Sequence, residues 1–114
     1  MSSLAVYNSL MKHTITLRKK DRDVSGNYSI LSETTGLKGF VEFDTNFKIE
    51  KNGEILEAKA IVFLKNDCGI DPNWEYWEID QTSPKTISKM TVFDINRIDD
   101  PLTNITHHYE VAVR

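Results

Sequence analysis

The pair Asn52-Gly53 constrains the fold more than any other feature of the chain. Both residues tolerate positive φ, and a two-residue Asn-Gly loop favours a type I′ turn, whose twist matches that of the strands it joins. The flanking arms, "VEFDTNFKIEK" and "EILEAKAIVFL", alternate apolar and polar residues for most of their length, as half-buried strands do. Carried outward, the turn sets a register in which Lys51 faces Glu54, Ile49 faces Leu56, Lys48 faces Glu57, Phe47 faces Ala58, Phe43 faces Val62 and Val41 faces Leu64. One face then holds Val41, Phe43, Phe47, Ile49, Leu56, Ala58, Val62 and Leu64. The other holds Glu42, Asp44, Asn46, Lys48, Glu50 and Glu57, with Ile55 near the tip and Ile61 and Phe63 near the base. The base reads as core and the outer half as an amphipathic finger.

Length gives this hairpin its meaning. About eleven residues per arm at roughly 3.3 Å each reach ~36 Å, against a radius of gyration of ~13 Å expected for a domain of this size. A hairpin spanning about residues 38–65 must curl across the body or project from it. A projecting ribbon with one apolar face is unstable alone, so that face is expected to find a partner, most simply the same finger of a neighbouring subunit.

The rest of the chain punctuates itself into short strands. "KHTITLRK" alternates with His13, Ile15 and Leu17 on one face; "DRDVSGN" turns; "YSILSE" opens a second strand, and "GLKGFVEFD" leads into the hairpin. After the loop "KNDCGIDPN", the segment "WEYWEIDQ" offers Trp77 and Ile79 to the core, with Trp74 and Tyr76 capping its edge or anchoring a protein interface. "TISKMTVFDINRI" contributes Ile87, Val92, Ile95 and Ile98 to the core, and the closing "THHYEVAVR" aligns Tyr109, Val111 and Val113. Leu4, Tyr7, Leu10 and Met11 recur at helical spacing, so one short N-terminal helix at most is expected. At 114 residues the chain is one domain, residues 1–114, and the expected fold is all-β: a small antiparallel β-barrel with a long protruding hairpin.

Composition narrows the function. The 14 basic residues against 17 acidic ones give a formal charge of −3, which argues against a module that grips nucleic acid through its phosphates. The basic run "RKKDR" reads as a solvated turn. No apolar run is long enough to span a bilayer, and the N-terminus makes a poor secretory signal, so a cytosolic site of synthesis is expected. The single cysteine, Cys68, excludes an intrachain disulfide. His107 and His108 are strand neighbours, which point to opposite faces and cannot share one ion without a bulge; one is expected half-buried and the other exposed. No carboxylate pair, nucleophile motif or phosphate-cradling glycine loop nominates an active site, so no catalysis, metal or cofactor is expected.

The order of the segments carries a further signal. "HTIT" at residues 13–16, "AIVFL" at residues 60–64, the Asp100-Pro101 turn and the "HHYEV" run at residues 107–111 resemble, in nearly full-length layout, the small head-closure or head-tail joining proteins of tailed bacteriophages. That resemblance implies a non-enzymatic barrel subunit of the virion neck, made in the host cytoplasm and assembled into a sixfold or twelvefold ring. Its implied neighbours are the portal or adaptor ring above and a tail terminator or tail-tube protein below, with double-stranded DNA passing through the channel without sequence-specific contacts. The finger occupies the place of the internal loop that plugs the channel in some relatives. Its tip residues Lys48, Glu50, Lys51, Asn52, Glu54 and Glu57 are then expected to face the lumen or an adjacent ring. Ile49, Ile55, Leu56, Trp74 and Tyr76 are the expected contacts between subunits or with a docking partner. Two other readings stand beside this one: another neck protein such as a tail terminator or adaptor, and a small ligand-binding barrel using Trp74, Tyr76 and Trp77 as a stacking wall.

Overall fold

A computed structural model describes residues 9–43, 48–83 and 89–114. The chain is all-β, with eight strands: β1 (His13–Arg22), β2 (Tyr28–Glu42), β3 (Lys48–Lys51), β4 (Glu54–Glu57), β5 (Ala60–Lys65), β6 (Trp77–Ser83), β7 (Met90–Asp99) and β8 (Thr106–Val113). Six of them close into an antiparallel barrel in the order β1-β2-β5-β8-β7-β6, while β3 and β4 form a separate two-stranded sheet. The expected helix lies outside the described residues except at its end, where Met11 is buried, and Ile87 lies outside them as well.

The barrel is filled by the inward set of each strand's alternation. Ile15 and Leu17 from β1, Val41 from β2, Val62 and Leu64 from β5, Ile79 from β6, Val92 from β7 and Val111 and Val113 from β8 form one buried cluster. Trp77 joins them, its Nε1–H donating to the Asp71 carbonyl at 3.2 Å, and Ile70 and Cys68 close one end from the loop at residues 66–76. Burial pushes the Cys68 thiol above its ordinary 9.0, which keeps it protonated and unreactive.

Two features depart from the expected hairpin. The segments "YSILSE" and "GLKGFVEFD" are one 15-residue strand rather than two, because Gly36, at φ +71°, takes up a bulge opposite β1 instead of ending the strand. The register also changes between tip and base. At the tip Lys48 pairs with Glu57, Ile49 with Leu56 and Lys51 with Glu54, as the turn dictates, but at the base Val41 pairs with Val62 and Gly39 with Leu64. Five residues, 43–47, separate the two ladders on one arm and only three, 58–60, on the other. The base takes its register from the barrel, where β5 is held against β8 from Ala60↔Val113 to Lys65↔His108. Phe43, expected inside opposite Val62, therefore falls beyond the end of β2 and is 56% exposed; Phe47 lies outside the described residues. The displacement is even, so Val41, Val62 and Leu64 keep their inward faces.

Gly39 sits where β1, β2 and β5 meet. A Cβ there would lie 2.7 Å from the Phe63 carbonyl oxygen and 3.0 Å from Ile15 Cγ1, and the first of these is backbone that cannot move without disturbing the β2–β5 ladder. Glycine is required by close packing rather than by φ. Gly39→Ala is expected to cost roughly 1–3 kcal/mol, seen as a lowered midpoint in chemical unfolding, whereas Gly53→Ala, in open space at the finger turn, is expected to act only through its positive φ.

Candidate functional site

The finger is built from a turn and very little else. Asn52 (φ +54°) and Gly53 (φ +77°) adopt the left-handed conformations a type I′ turn needs. Lys48, Glu50, Asn52, Glu54 and Glu57 are exposed, and Ile55 is 71% exposed. The side chains of Ile49 and Lys51 lie outside the described residues. Across the ladder Lys48 stands opposite Glu57 and Lys51 opposite Glu54, with Glu50 opposite Ile55, so opposite charges balance in pairs and one carboxylate is left over. Such a surface neither attracts nor strongly repels a phosphate backbone.

Leu56 does something else. Together with Phe63 it packs on the outer face of the barrel, against Ala58, Ile61, Phe93 and Ala112. This second cluster ties the root of the finger to β5, β7 and β8, and Leu56 is thereby a contact within its own chain. Ile55, on the opposite face of the ladder, is the described apolar finger residue left for a partner.

Trp74 and Tyr76 hold the loop at residues 66–76 against β1. Trp74 is half-buried on the main core, its Nε1–H donates to the Lys20 carbonyl at 2.8 Å, and the Lys19 ammonium sits 4.7 Å from its ring centroid. Tyr76 meets Tyr28 edge-to-face at 5.4 Å. Trp74, Tyr76 and Trp77 do not form one stacking wall. Tyr76 and Trp77 line a groove of about 210 Å³ with Lys20 and Tyr28, and Trp74 lines another of about 160 Å³ with Pro72 and Ile95. Both fall below the roughly 300–1,000 Å³ of typical ligand pockets.

His107 and His108 depart from the alternation expected of them. β8 is bulged here, since Ile98 pairs with His108 and Asp99 with Thr106, and both imidazoles are half-buried with their Nδ1 atoms 2.7 Å apart. Glu110 Oε1 lies 3.4 Å from His108 Nε2, which assigns the proton of His108 to Nε2 and leaves its Nδ1 to accept from His107. An aromatic path runs on from His108 through Phe63 and Phe40 to His13, whose Nδ1 accepts the Val41 N–H at 3.0 Å. Among the described residues no group of three potential ligands is placed to hold a metal ion.

Two features were not read from the sequence. The first is a second projection: beyond Lys19↔Trp77 the β1–β2 hairpin continues past β6, and β2 meets β5 only from Gly39 onward. The second is a groove of about 250 Å³ on the barrel exterior, lined by Glu42, Ile61, Phe63, Asp94, Asn96, Glu110 and Ala112. The signal for the ribbon was present in the unbroken β-prone run from Tyr28 to Thr35; the groove joins four strands and leaves no local signature. Comparison with family models, with curated proteins and with solved structures finds no match.

Two measurements follow from this geometry. Burial, reinforced by the neighbouring His107 and opposed by Glu110, holds His108 below its ordinary 6.5. The unfolded chain therefore binds that proton first: the stabilisation is complete above about pH 6.5 and is lost as pH falls from there to the lower folded value. Thermal melting between about pH 7.5 and about pH 5 should show this loss, and His108→Gln should flatten it. Trp74→Ala should lower stability by roughly 2–4 kcal/mol; weakened assembly with an unchanged melting temperature would instead place Trp74 at an interface.

Proposed function

We propose that this chain is a non-catalytic structural subunit of a tailed-bacteriophage neck, assembled as a sixfold or twelvefold ring below the portal and its adaptor. The ring closes the DNA-filled head and offers a docking platform to the tail terminator or tail-tube protein. The observation that carries this reading is the finger: β3 and β4 form a sheet of their own, with exposed charges and an exposed Ile55 at a tip that has no core. A two-stranded ribbon held to its barrel through Leu56 at the root is marginal in water beyond that contact, so its retention makes sense where copies meet around an axis. The segment order that resembles head-closure proteins supports the same conclusion.

Mechanically, closure is steric. Each finger contributes a thin, near-neutral obstruction, and symmetry multiplies a weak contact around the ring. A lining of paired charges lets DNA slide during packaging and ejection, where a row of unpaired lysines would hold phosphates. The ligand-binding alternative would need a pocket, and the described grooves are small and open.

Replacing residues 50–55 by a minimal turn, with Leu56 kept so that the root of the finger stays packed, should leave the barrel folded. Particles assembled with this variant are expected to lose DNA, measured as nuclease-accessible genome. Folded variant rings in particles that keep their genome would remove the plug role.

A further inference from the structure

We propose that copies of this chain associate head to tail, with the tip of the β1–β2 ribbon of one copy seated in the acidic groove on the β5–β8–β7 face of the next.

The ribbon tip exposes several apolar side chains and a cation with no carboxylate partner among the described residues. Val24 is fully exposed, and Tyr28, Ile30 and Leu31 are each more than half exposed, an unusual density of apolar side chains on a two-stranded projection. Of the cations along β1, Arg18 is engaged by Glu33, Glu78 and Asp80, Lys20 by Glu78, and the half-buried Lys19 lies over the Trp74 ring, back from the tip. Arg22 is exposed and lies over the Tyr28 ring at 5.9 Å, with no carboxylate partner among the described residues. The two neighbouring anions are partly occupied. Asp21 Oδ1 accepts the Arg22 N–H, and Asp23 Oδ1 accepts the N–H groups of Ser25 and Asn27.

The groove is the converse. Its lining is the half-buried Phe63 beside the buried Ile61 and Ala112, together with the carboxylates of Glu42, Asp94 and Glu110. Glu110 meets His108; among the described residues Glu42 and Asp94 meet no cation. At about 250 Å³ it has room for a side chain or two, not for a drug-sized ligand. Carboxylates beside an aromatic side chain fit an arginine next to an apolar neighbour, which the cross-strand pair Arg22 and Tyr28 supplies.

Topology makes the contact intermolecular. The ribbon tip and the groove lie at opposite ends of β2, Tyr28 at one and Glu42 at the other, with 15 residues of strand at roughly 3.3 Å each between them, so a ribbon cannot reach its own groove. Two different surfaces at opposite ends of one strand give a heterologous contact, which closes into rings or extends into filaments. The competing occupants are less suited. The finger's Ile55 face carries Glu50 and Glu57 against the single cation Lys48 and so brings a net negative charge toward three carboxylates, and ribbon-to-ribbon pairing sets Arg22 against Arg22.

The test uses the purified full-length protein. Arg22→Glu and Asp94→Arg should each weaken self-association, followed by sedimentation velocity over a concentration series, by about tenfold or more, and the double variant should recover it. Oxidation of a Val24→Cys, Asn96→Cys protein should give a ladder extending beyond the dimer. Additive losses in the double variant, a ladder ending at the dimer, or association abolished by finger truncation yet indifferent to Arg22→Glu would overturn the proposal. These results are read without virions, so they are separable from the neck assignment: genome leakage depends on the finger, and ring contacts on the ribbon.

Discussion

The barrel depends on a short seam. β2 and β5 are joined by four residue pairs, Gly39↔Leu64 to Glu42↔Ile61, and this brief ladder carries the sheet from the β1–β2 half to the β5–β8–β7 half. It holds because the pairs are packed from both sides. Val41, Val62 and Leu64 are fully or almost fully buried inside, and outside Phe40 lies against Phe63 with centroids 6.4 Å apart. Gly39 allows the strands this close an approach; the neighbouring Phe63 carbonyl leaves no space for a methyl group. The opposite seam is shorter still, with Glu78↔Thr91 and Ile79↔Met90 as its two described pairs.

Electrostatics reinforces what burial begins. Arg18 on β1 reaches Glu33 on β2 at 2.7 Å, and Glu78 and Asp80 on β6 at 3.1 and 2.5 Å, so one guanidinium spans three strands. Burial works to raise the Asp80 carboxyl, but the Lys89 N–H and Arg18 outweigh it and hold it below the ordinary carboxylate range. All these groups are partly exposed, so the network contributes modestly and mainly fixes the orientation of β1 between its neighbours. Using up Arg18 and Lys20 in this way leaves Arg22 as the exposed cation at the ribbon tip.

How much of this was legible depended on how local each cause was. The finger turn was readable because Asn52 and Gly53 carry their own backbone requirement, and the tip pairing followed from it. Trp77, Ile79, Val111 and Val113 were readable from alternation. The base register was not, because it is set by β8 and the rest of the barrel, which overrule a turn once residues intervene between the two ladders. The His107–His108 contact was hidden for a similar reason: alternation puts neighbours on opposite faces, and a bulge that depends on β7 cancels the rule. The intrachain packing of Leu56 was not legible because two of its neighbours, Phe93 and Ala112, come from strands distant in sequence.

The finger ladder and the barrel ladder differ in register by two residues, so each has its own cause: the Asn52-Gly53 turn for one and pairing with β8 for the other. Changes of length or charge confined to residues 48–57 therefore leave the inward alternation of Val41, Val62 and Leu64 to the closed sheet alone.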